Sequence, residues 1–264
     1  MGMNFEDTEV IKCRDETATL KVWEEPIDTA YYVIGADPAY GSSDWADRFC
    51  LSVFRVYADG MEQVAEFATS ELNTYQFAWV IAHLAGAYRN STLNLEVNGP
   101  GQAVINELRN LKRQAASLGG PQGKDLMNVL GHMQNYMWRK NDTLGGVTNS
   151  IGWLTTGPSK ERMLNYMKDY FERGMMRVRS VDTIEEMKSI VRDGGSIQAG
   201  GRGKDDRVIA TALASAAYAE QLWPRLVQMK ITRENNRAQD NMRPEDVQGS
   251  RAVSTYLKRI GLYS

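Results

Sequence analysis

Residues 31 to 37, Tyr-Tyr-Val-Ile-Gly-Ala-Asp, form a nearly continuous apolar run that stops at an acid followed by Pro38. A strand with no polar face has to be covered on both sides, so this run predicts a sheet sandwiched between other layers. Behind it lies a loop rich in Gly, Ser and Asp, Gly41 to Asp47. Residues 49 to 57 and 62 to 69 then read as two further strands, joined by a tight turn at Ala58-Asp59-Gly60. Three antiparallel strands in succession result.

Residues 73 to 89 carry Phe77, Val80, Ile81, Leu84 and Tyr88 at helical spacing, with Asn73 or Thr74 as cap. Residues 91 to 98 alternate: Leu93, Leu95 and Val97 share one face, and Asn94, Glu96 and Asn98 share the other. This fourth strand follows a hairpin and a helix, so a right-handed crossover lays it parallel to the first. A helix then begins at Pro100 or Gly101 with Val104, Ile105, Leu108 and Leu111 inward. The Gly- and Gln-rich stretch from Arg113 to Asp125 reads as loop, and 126 to 152 as loop with a hairpin.

Further on, the pattern predicts a helix over 159 to 173 capped by Ser159 and closed by Gly174, and a short strand over 175 to 179. A helix from Asp182 to Arg192, a Gly-rich link from 194 to 203 and an Ala-rich helix from Asp205 to Leu222, ended by Pro224, follow. An amphipathic helix from Pro244 to Leu262 closes a polar tail. The fold class is mixed α/β: three antiparallel strands plus parallel strands, flanked by helices.

With 264 residues, 42% hydrophobic and 24% charged, the chain supports one large domain or two small ones and is no disordered polymer. No apolar stretch is long enough to span a membrane, and the acidic start (Asn4, Glu6, Asp7) lacks the character of an export signal. Cys13 and Cys50 are too few for a disulfide framework or a four-thiolate zinc site. His83 and His132 have no second ligand at metal spacing and read as structural or exposed. No serine has the partners of a hydrolytic triad. The methionines of 127 to 176 read as core filler.

Charge divides the chain. Residues 1 to 100 carry a balance of −10 and the remainder +8, an acidic part suited to cations and a basic part suited to a polyanion. Between 138 and 179 eight basic residues face four acids; Arg139, Lys140 and Lys160 in this stretch are expected to meet the phosphates of a polyanion without reading sequence, with a solvated helix face as the rival reading.

Adjacent parallel strands bring Asp37 and Glu96 to one sheet edge. Two such anions repel, so their proximity calls for a cation. Asp205 and Asp206 open a helix and supply further carboxylates, although an acid there is more often a cap. An all-oxygen set selects Mg²⁺ or Mn²⁺ over zinc, and two such ions serve phosphodiester cleavage.

The segments Tyr32-Val33-Ile34-Gly35-Ala36-Asp37-Pro38-Ala39-Tyr40-Gly41 with Asp44 or Asp47 beyond, Leu93-Asn94-Leu95-Glu96-Val97-Asn98-Gly99-Pro100-Gly101, Gly152-Trp153-Leu154-Thr155-Thr156 with Lys160, and Asp205-Asp206-Arg207-Val208-Ile209-Ala210-Thr211-Ala212-Leu213-Ala214 recur in a characteristic order. Together they resemble the nuclease part of the large terminase subunit of tailed bacteriophages, over roughly residues 20 to 223. The resemblance implies a ribonuclease H-like fold and metal-dependent cutting of double-stranded DNA during genome packaging. It implies Asp37 as the acid bridging both metals, Glu96 as the second-strand acid, and Asp205 or Asp206 as the helix-borne acid.

Many relatives carry a His before the last acidic pair, where this chain has Lys204, which either meets a DNA phosphate or points to solvent. No phosphate loop of the Gly-x-x-x-x-Gly-Lys-Ser/Thr type occurs, so the packaging ATPase is expected outside this chain, which reads either as a piece cut from a longer protein or as a free-standing nuclease. The expected organisation is a lead-in over 1–30, the nuclease domain over 31–223 and a tail with a helix over 224–264. Expected partners are DNA, the phage portal and the small terminase subunit, with the host cytoplasm rather than the mature virion as the place of action. Two other readings compete: a Holliday-junction resolvase of the same fold, and a non-catalytic domain whose last helix docks on the portal. A transposase fits less well, because 109 residues separate Glu96 from Asp205.

Overall fold

The computed structural model describes residues 2–6, 9–14, 18–41, 47–118, 120, 135–136, 138–140, 147–193, 196–199 and 204–235. Of these, 2–13, 118, 135–136, 138–140, 147–150, 192–193 and 196–199 are described by backbone alone. The final predicted helix, Pro244 to Leu262, lies outside the described residues, as does His132.

The central strand β4 (Tyr32–Asp37) is the apolar run, with its first five residues buried. It pairs antiparallel with β5 (Phe49–Tyr57), which pairs antiparallel with β6 (Gly60–Thr69). On its other side β4 pairs in parallel with β7 (Ser91–Leu95), Ala36 lying opposite Leu95. The crossover between them is α1 (Thr74–Ala87), started by a reciprocal capping box between Asn73 and Gln76. The sheet order expected around these four strands holds.

Residues 1–30, read as a lead-in, contribute three strands, β1 (Gly2–Glu6), β2 (Glu9–Cys13) and β3 (Leu20–Val22), which extend the same sheet beyond β6. Beyond β7 lies β8 (Asn135–Tyr136). The hairpin expected within 126 to 152 is formed by β9 (Trp138–Lys140) and β10 (Val147–Ile151). The short strand β11 (Met176–Arg177) runs parallel to β6.

Two apolar clusters cover the sheet. Tyr32, Ile34 and Ala36 of β4 and Leu93 and Leu95 of β7 pack with α1 and with α2 (Gly101–Leu118). Val33 points to the opposite cluster, under α3 (Gly157–Glu172) and α5 (Asp206–Ala217). Buried Met163, Met167 and Met176 serve there as filler, as expected. Alternation places Gly35 on the α5 side, and its lack of a side chain lets the helix approach: a Cβ at Gly35 would lie 1.8 Å from the Ala210 carbonyl oxygen.

Several element ends differ from expectation. Helix α2 continues past Arg113 to Leu118, because Gln114, Ala115 and Ala116 are good helix formers and Ala115 is buried. Thr156, not Ser159, caps α3; Ser159 sits three residues on and closes the reciprocal box, with Pro158 in the first turn where no N–H is needed. Helix α4 (Val181–Ser189) stops before the β-branched pair Ile190-Val191, which forms β12 (Ile190–Asp193) against β13 (Ser196–Ala199), a hairpin within the expected helix end and link. Pro224 does not end the Ala-rich helix. A π segment, Tyr218–Leu222, loosens the register so that Trp223 N–H donates to the Tyr218 carbonyl, and α6 (Trp223–Gln228) continues with Pro224 in its first turn. His83 stacks on Trp79 and burial lowers its pKa, in keeping with a structural role.

Candidate active site

On β7 the polar residues Asn94 and Glu96 alternate away from Leu93, Leu95 and Val97, which lie in the cluster under α1 and α2. Asn94 therefore meets α5, donating from Nδ2 to the Leu213 carbonyl at 2.8 Å. Asp37 follows Val33 and Gly35 at the same parity on β4. Both acids thus leave the sheet on the α5 side, at its C-terminal edge.

The backbone of Glu96 is held from two directions. Its N–H donates to the Ala36 carbonyl at 3.0 Å, and on the other side it bridges Trp153, whose N–H donates to the Leu95 carbonyl at 2.7 Å. Gly101 lets the start of α2 close over the same turn, since a Cβ there would lie 1.8 Å from the Glu96 carbonyl oxygen. Asn98 clamps the next wall: its side chain donates to the Thr155 carbonyl at 2.7 Å and accepts from the Thr155 N–H at 2.8 Å.

The start of α5 completes the site. Asp206 is 5% exposed and accepts from the Arg48 N–H at 3.1 Å. Asp205 occupies the N-cap position, yet its side chain makes no capping hydrogen bond and instead meets the Lys160 ammonium at 3.3 Å. The cap role, the bland expectation for Asp205, is not the one it plays. Asp37, Glu96, Asp205 and Asp206 all line one cleft of about 280 Å³, with Asp47 and Lys160.

Burial pushes the Asp37 carboxyl well above its ordinary range, and the neighbouring Glu96, through its charge and a shared hydrogen bond, pushes it further, as do Asp206 and Asp205. Burial likewise raises Asp206, to about 6, against the Arg48 amide that favours its charged form. Two carboxyls sharing a hydrogen bond need a proton between them or a cation beside them. Among the described residues no three His, Cys, Asp or Glu side chains stand as a metal-holding group. The acids line the walls of the cleft, and Asp37 with Glu96 is the tight pair. The donors are all oxygen, which fits a hard divalent ion.

The basic candidates fare differently. Lys160 lines the cleft; Lys204 is half-buried and does not. Arg139 and Lys140 lie on β9, and their side chains are outside the described ones. Others of the basic stretch are engaged within the fold: Arg162 with Glu220, Arg173 with Asp169, and Arg179 with Glu24 and Glu62.

Sequence reasoning missed Arg48 and Glu186 as supports of the site. Glu186 accepts from the Arg48 guanidinium at 2.8 Å and from the Arg207 guanidinium at 2.7 Å, gripping the residues on both sides of Asp206. No local pattern signals a contact across 138 residues. Of the two loop acids named with the first segment, Asp47 lines the cleft and Asp44 lies outside the described residues.

The sequence matches the terminase RNase H-like domain family over residues 34–217. A comparison with curated proteins finds no match. Among solved structures the chain is similar to the large terminase nuclease from thermophilic phage G20c with bound magnesium, at 17% identity and a TM-score of 0.54, covering 80% of this chain and 93% of that one. It is also similar to the large terminase nuclease domain of Thermus phage P74-26, at 18% identity and a TM-score of 0.52, covering 81% and 94%. At such identities the likeness is one of fold.

Proposed function

The chain belongs to the terminase RNase H-like domain family, and from that premise we propose that it is a metal-dependent endonuclease, cutting double-stranded DNA with little sequence preference as the nuclease part of a phage packaging terminase. The observation that carries this reading is the meeting of Asp37 and Glu96 at the ends of adjacent parallel strands, in one cleft with Asp205 and Asp206.

Asp37, Glu96, Asp205 and Asp206 would hold two ions, Mg²⁺ or Mn²⁺. When bound, the ions supply an activated water and charge to stabilise the leaving oxygen. The chain's own groups do the rest. Arg48 orients the Asp206 carboxylate through its amide, Asn98 fixes the Thr155 wall, and Lys160, Lys204, Arg139 and Lys140 neutralise backbone phosphates without reading bases. In this reading the ATPase part, the portal and the small terminase subunit deliver the DNA. The work is done in the host cytoplasm before the virion matures.

Asp37→Ala and Glu96→Ala should each abolish Mn²⁺-dependent nicking of supercoiled plasmid while circular dichroism reports an intact fold. Undiminished nicking by either folded variant defeats the proposal. Linear duplex should be cut at least as readily as a four-way junction, and the opposite preference would favour a resolvase.

A further inference from the structure

Asp205 stands at the N-cap of α5, where an Asp ordinarily accepts a backbone N–H and stabilises the helix. It forgoes that bond. Its Oδ2 lies 3.3 Å from the Lys160 ammonium, and both side chains are about one quarter exposed, 26% and 27%, on the wall of the acidic cleft. Lys160 belongs to the first turn of α3, an element placed independently by the Thr156–Ser159 box, so the pair joins two separately anchored helices.

We propose that Lys160 is a built-in counter-ion for the cleft: its ammonium holds the Asp205 carboxylate before a divalent cation enters, and the entering cation releases Lys160 to a DNA phosphate. The inference rests on the metal-nuclease reading above. A carboxylate cannot give the same lone pairs fully to an ammonium and to a metal, so the two cations compete for Asp205. Elsewhere in the cleft, Asp37 is paired with Glu96, and Asp206 accepts from the Arg48 amide. The Lys160 stem is flexible, and its point charge meets phosphate as readily as carboxylate. Coupling follows: the ammonium becomes available to DNA when the metal is in place.

The test is calorimetric titration of the whole chain with Mn²⁺ alone, on wild type, Lys160→Met, Asp205→Asn and the double variant. Lys160→Met keeps the apolar stem and should tighten Mn²⁺ binding by roughly two- to fivefold, the scale of a partly exposed ion pair. In the Asp205→Asn background the same change should leave affinity unaltered. An equal gain in both backgrounds overturns the proposal, since it marks a general charge effect, and so does no gain in either.

A second readout uses a short DNA duplex. With Ca²⁺ present Lys160→Met should lower the salt slope of binding by about one unit, and with chelator it should change nothing. Equal effects in both conditions also overturn the exchange. Lys160→Gln repeats the series should the Met variant fold poorly. If wild type itself binds no Mn²⁺ saturably, the metal reading fails and the exchange with it, whereas saturable binding without the predicted cycle defeats the exchange alone.

Discussion

At the scale of single residues, the site depends on what is missing from Gly35. The Ala210 carbonyl oxygen and the Ala214 nitrogen stand 1.8 and 2.6 Å from where its Cβ would be, so any side chain drives α5 away from β4. Gly35→Ala should cost about 3 kcal/mol by urea denaturation, at the upper end of overpacking penalties. It should also weaken Mn²⁺ binding, because Asp205 and Asp206 ride on the displaced helix. Retained stability and affinity would mean that α5 is not seated by this contact. Asn94 fastens the same helix to β7 through its bond to the Leu213 carbonyl.

Elements are tied around the site by charge as well as by apolar packing. Helix α4 holds β3 through Asp182, whose carboxylate accepts from Lys21 at 2.8 Å and lies 3.6 Å from Arg207. The Lys21 hydrogen bond, with the nearby Arg207 charge, keeps the Asp182 carboxyl below its usual range. A folded-state pKa below the unfolded value means that the unfolded chain binds more protons in that window, so stability rises with pH there. The contribution is fully present above about pH 4, near the ordinary Asp value, and is lost as pH falls through the lowered folded value. Asp182→Asn should therefore flatten the acid side of a denaturation series between about pH 5 and 2. A slope equal to that of wild type would remove Asp182 from the account.

For the molecule as a whole, the acidic and basic parts of the chain meet through three of the described arginines. Arg179 reaches Glu24 and Glu62, Arg207 reaches Glu66 at 3.1 Å, and Arg233 reaches Glu62 at 3.2 Å, each joining the basic part to the acidic one. These three arginines are thus engaged within the fold and are not the cations assigned to DNA phosphates. Arg179→Ala should lower the melting temperature, since its guanidinium also donates to the Trp23 carbonyl, yet leave the salt slope of DNA binding unchanged. Replacing Arg139, Lys140 and Lys160 together by Ala should flatten that slope. A changed slope in Arg179→Ala, or an unchanged one in the triple variant, would show that the wrong cations were assigned to phosphate.

The local pattern determined the central strands and their order, because an apolar run and a period of two are properties of neighbouring residues, and the hairpin and crossover rules then leave little freedom. The same alternation announced that Glu96 leaves the sheet opposite Leu95. Packing joined local propensity in deciding where some helices end: whether Pro224 stops a helix depends on the π turn before it, and Ala115 continues one where it is buried. It decided too that Asp205 gives up its cap for Lys160, and that Glu186 steadies the flanks of Asp206. Such partners lie far apart along the chain, and their energies exist only once desolvation and distance have been set by the folded core.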